Sequence, residues 1–74
     1  MAHSRIAADR AIMMGKPCIT GTRITVELLL RKLAAGWSFA DVLDAYPNLT
    51  EDDLRAALDF AADFLEHETV LAAE

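Results

Sequence analysis

Three hydroxyl residues divide this chain. Thr25, Ser38 and Thr50 each stand directly before a run of apolar residues at helical spacing, and a hydrophobic residue precedes each of them. A Ser or Thr at a helix N-cap accepts from backbone N–H groups that the first turn leaves unpaired. An apolar pair flanking the cap, one residue before it and four after it, fixes the angle at which the chain enters the helix. Those pairs are Ile24 with Leu29, Trp37 with Val42 and Leu49 with Leu54. Asp41 and Asp53 stand three residues after Ser38 and Thr50, where a side chain can return a bond to the cap's own N–H.

The first helix has a stripe of Val26, Leu29, Leu30, Leu33 and Trp37, with Gly36 as a natural stop. The second carries Phe39, Val42, Leu43 and Tyr46, and Pro47 forces Tyr46 out of helical geometry. The third opens with Glu51, Asp52 and Asp53, which suit the positive end of the helix dipole. Its stripe is Leu54, Ala57, Leu58, Ala61 and Leu65, and Phe60 with Phe64 widens it. Residues 1–24 read differently. Arg5-Ile6-Ala7 is a short strand candidate, and Cys18 to Thr25 reads as two very short strands around a turn at Gly21. Such a hairpin is marginal alone and needs another strand, the first helix or a second copy of the chain.

The expectation is one mainly α domain over residues 1–74. It has a β element of two or three very short strands in 1–24, a three-helix helix-turn-helix-like part in 25–67, and a fraying tail in 68–74. A chain of 74 residues buries only about 60% of its unfolded surface, so it can build one modest core. Its 14 alanines favour close-packed helices. At 54% hydrophobic it is not a disordered chain. Its single cysteine makes no internal disulfide. No uncharged stretch reaches the roughly 18 apolar residues of a membrane span. Asp9 and Arg10 interrupt any secretory apolar core, so a cytoplasmic protein is expected.

Net charge is −5, which excludes a wholly basic nucleic-acid binder, but the charge is split. Residues 1–37 hold six Lys and Arg against two acids, a net of +4; residues 38–74 hold one Arg against ten acids, a net of −9. Two electrostatic surfaces, and two kinds of partner, are suggested. If DNA is bound, Arg5, Lys16, Thr22, Arg23, Arg31 and Lys32 are the candidate contacts. The second and third helices have helix-turn-helix lengths, yet Glu51, Asp52 and Asp53 at the start of the third would be repelled by phosphates. Leu28, Phe60, Phe64 and Leu65 offer more apolar surface than one small monomer covers, and mark a partner or homodimer interface.

Catalytic arrangements are absent from the pattern. Gly15 to Arg23 superficially resembles a phosphate-binding loop, but Thr22-Arg23 follow the second glycine where Lys and a hydroxyl residue belong. Cys18 has no histidine near it in sequence, since His3 and His67 lie near the two ends. Asp59, Asp63 and His67 share a helical face, a weak metal set better read as a solvated acidic surface. No cofactor, metal or enzymatic activity is expected.

Four ordered blocks nonetheless resemble a known family. They are Gly15-Lys16-Pro17-Cys18-Ile19-Thr20-Gly21-Thr22-Arg23-Ile24-Thr25-Val26, Leu33-Ala34-Ala35-Gly36-Trp37-Ser38, Tyr46-Pro47-Asn48-Leu49-Thr50 and Asp53-Leu54-Arg55-Ala56-Ala57-Leu58. Together, across Arg5 to Glu66, they resemble the domain of unknown function 433. That resemblance implies a small prokaryotic protein of the helix-turn-helix class. It implies a VapB-like antitoxin, encoded beside a PIN-like ribonuclease that it binds and silences, and leaves open repression of its own operon. It carries no catalytic residue, and it directs attention to Lys16, Gly21, Thr22 and Arg23. The few residues beyond the third helix point away from a long tail wrapped around the toxin. On this reading the acidic half covers the basic RNA approach of the nuclease, with Phe60, Phe64 and Leu65 as anchors. The competing expectations are a stand-alone DNA-binding regulator and a dimeric interaction module that binds no DNA.

Overall fold

The computed structural model describes residues 4–11 and 13–66. Among these, three helices pack over a two-stranded sheet: β1 (Ile6–Ala7), β2 (Cys18–Ile19), α1 (Val26–Ala34), α2 (Phe39–Ala45) and α3 (Glu51–Glu66). The expected fraying tail falls on 67–74, outside the described residues.

All three cap signals operate. Thr25 accepts from the Leu28 N–H at 3.0 Å. Ser38 accepts from the Asp41 N–H at 3.0 Å while the Asp41 carboxylate accepts from the Ser38 N–H at 2.9 Å. Thr50 and Asp53 make the same reciprocal pair, at 3.2 and 2.9 Å. The consequence for packing is direct. Leu29, Val42 and Leu54, each four residues after its cap, are the three largest side chains fully removed from solvent. Each helix therefore enters the fold with the residue that its cap orients pointing at the common core. Ile19, Val26, Leu49 and Ala57 complete that core, and Ile24, Trp37 and Phe60 pack on its rim.

Helix ends follow from the same local chemistry. α1 stops at Ala34, and Gly36 takes a φ of +101°, which a side chain would strain. α2 ends at Ala45, and Tyr46 before the proline leaves helical space at φ −127°, ψ 76°. The link from Tyr46 to Thr50 then turns the chain into α3.

The β element pairs within one chain. Ile6 faces Ile19 and Ala7 faces Cys18 in antiparallel register. The Thr20 N–H donates to the Arg5 carbonyl at 2.8 Å and extends the ladder. The expected third strand is a single bridge, Cys18 to Thr25, closed by Ile19 N–H to the Ile24 carbonyl at 2.9 Å. The Val26 N–H donates to the Pro17 carbonyl at 2.9 Å, so the sheet is joined to the first turn of α1. A marginal hairpin is thus supported by β1 on one side and α1 on the other.

Two features depart from the sequence reading. Met13, Met14 and Gly15 have successive positive φ values of 51°, 57° and 84°, a left-handed turn that no sequence signal announced for the methionines. The apolar stripe read for α3 is also partly displaced. Leu54 and Ala57 are buried, but Leu58 and Leu65 are exposed, because the buried face of α3 runs through Asp53, Leu54 and Ala57.

Candidate functional site

α3 has 16 residues and α1 has nine, so α3 is longer by about 10 Å at 1.5 Å per residue. The last buried residue of α3 is Ala57, and its apolar face continues beyond the core through Phe60, Ala61, Phe64 and Leu65. Phe64 and Leu65 leave 62% and 63% of their surface exposed. Opposite them, Val26, Leu30 and Ala34 follow one another at four-residue intervals along α1. Between the two walls lies an open, mostly apolar groove of about 510 Å³, which Lys16, Pro17, Glu27 and Arg31 also line.

The structure thus brings together three of the four residues expected at a partner interface: Phe60, Phe64 and Leu65. Leu28 is half-buried on another side of α1 and does not line the groove. Sequence reasoning missed Pro17 and the α1 wall, although the spacing of Val26, Leu30 and Ala34 could have shown that wall.

The other face of α3 is acidic. Asp52, Asp59, Asp63 and Glu66 follow at intervals of seven, four and three residues, which places them on one stripe. Asp52, Asp59 and Glu66 are exposed and Asp63 is half-buried. At 100° per residue, Asp59 and Glu66 lie across the helix from the groove. Charge and apolar anchors, expected on one surface, therefore occupy two.

Most of the candidate nucleic-acid contacts are engaged inside the fold. The Arg5 guanidinium donates to the Asp53 carboxylate at 3.0 Å and lies 3.7 Å from Asp52. Lys16 Nζ and Arg31 Nε reach the two carboxylate oxygens of Glu27, at 3.1 and 3.3 Å. Lys32 stands over the Trp37 ring, 4.4 Å from its centroid. The Thr22 hydroxyl donates to the Ile19 carbonyl at 2.8 Å and accepts from the Ile24 N–H at 3.0 Å, which closes the turn at Gly21. Among the described residues, Arg10, Arg23 and Lys32 carry no ion pair.

Two carboxylates respond to these partners. Lys16 first, and Arg31 after it, hold the Glu27 carboxyl below its ordinary range. Burial pushes Asp53 upward, but the Thr50 N–H, the Arg5 guanidinium and the Thr50 hydroxyl outweigh it, so its pKa is lowered.

Cys18 is buried, and its thiol donates to the Lys16 carbonyl at 3.4 Å. No group of three metal-ligating side chains occurs among the described residues, and His67 of the acidic set lies outside them. No helix among them is long and apolar enough to cross a membrane.

Comparison with known proteins fixes the family. The family model described as a protein of unknown function, DUF433, matches residues 6–61. The chain belongs to the DUF433 family. A crystal structure of a DUF433 member protein from Anabaena variabilis is similar, with 31% sequence identity and a TM-score of 0.80 over 84% of this chain. This chain spans 61% of the length of that relative. None of the curated proteins compared matches it.

Proposed function

We infer that this DUF433 chain is a binding protein rather than an enzyme, the antitoxin-like partner of a PIN-like ribonuclease encoded beside it. The observation that carries this reading is the acidic stripe that runs along the 16-residue α3 on a side away from the apolar groove. A nuclease that binds RNA through basic side chains presents the complementary surface. An acidic stripe laid over that approach competes with the phosphate backbone and steers the encounter at low salt. The stand-alone DNA regulator is less well supported. Arg5, Lys16 and Arg31 each stand within 3.0–3.3 Å of a carboxylate, so the field that would attract a duplex is weakened where the candidates lie.

The test is cleavage of a labelled RNA by the neighbouring nuclease, with and without this chain. Stoichiometric addition should suppress cleavage, and replacing Asp59, Asp63 and Glu66 with lysine should weaken suppression at least tenfold. Full cleavage in the presence of excess protein would overturn the reading.

A further inference from the structure

We draw no further inference here: the strongest candidate, the mostly apolar groove between α1 and α3, carries nothing, because its cations Lys16 and Arg31 are already paired with Glu27 and nothing in the structure shows what covers its walls.

Discussion

Replacing Asp53 with alanine should reveal how the β element is anchored to the helices. The Asp53 carboxylate accepts from the Thr50 N–H at 2.9 Å and from the Arg5 guanidinium at 3.0 Å, and the residue is 8% exposed. Losing the capping partner of α3 costs about 1 kcal/mol. Loss of a negative charge in the first helical turn adds about 0.5 kcal/mol. The ion pair joins a buried acid to a half-exposed arginine, so solvent screening limits it to about 0.5 kcal/mol. The sum is about 2 kcal/mol, or about 8–16 °C in Tm for a domain of this size. Urea unfolding of the parent chain, Asp53→Ala, Arg5→Ala and the double variant measures it. The cycle should give a coupling of about 0.5 kcal/mol, with the rest of the Asp53 loss unaffected by Arg5. Zero coupling would mean that Arg5 is not held by Asp53. A total loss under about 0.5 kcal/mol would refute the capping argument itself.

Acid should weaken the fold through the same residue. The folded pKa of Asp53 is lowered from an ordinary 3.8, so its contribution is present above that value and is lost as pH falls through the folded value; Asp53→Asn should flatten the stability profile below about pH 4. Leu29→Ala removes a fully buried side chain at the centre of the core and should cost about 2–5 kcal/mol, enough to leave much of so small a domain unfolded by circular dichroism. Met14 has a φ of 57° and is 92% exposed, so backbone strain alone should rank thermal stability as Gly above Met above Val at this position, with Met14→Val losing about 1 kcal/mol or more. An equal melting temperature for all three would show that the left-handed turn is not kept in solution.

The parts of this structure legible in the sequence are those fixed by neighbours along the chain. Caps at Thr25, Ser38 and Thr50 act over three residues, and their staple partners turned out to be the centre of the core. The stops at Gly36 and Pro47 are equally local. What stayed hidden depends on distance or on a partner's length. Periodicity assigned Leu58 and Leu65 of α3 to the stripe, but the buried face runs through Asp53, Leu54 and Ala57 beside Leu58, and whether the turn at Leu65 is covered depends on where the nine-residue α1 ends. Arg5 and Asp53 are 48 residues apart, and no spacing rule pairs them. Glu27 joins Arg31 through an ordinary i,i+4 pair, but its contact with Lys16 needs the turn at Met13–Gly15, whose left-handed methionines carry no signal. The candidate DNA contacts read as a basic half, and folding set three of them, Arg5, Lys16 and Arg31, against carboxylates. DUF433 membership was legible because four sequence blocks in order carry it.

The central proposal is that the acidic face of α3 binds a basic nuclease surface. Its most direct test is calorimetric titration of this chain with the PIN-like ribonuclease proposed as its partner, at low and at high salt. The account predicts a stoichiometric complex whose affinity falls steeply with salt and falls at least tenfold when Asp59, Asp63 and Glu66 become lysine. No complex at low salt, or a complex indifferent to both changes, would contradict it.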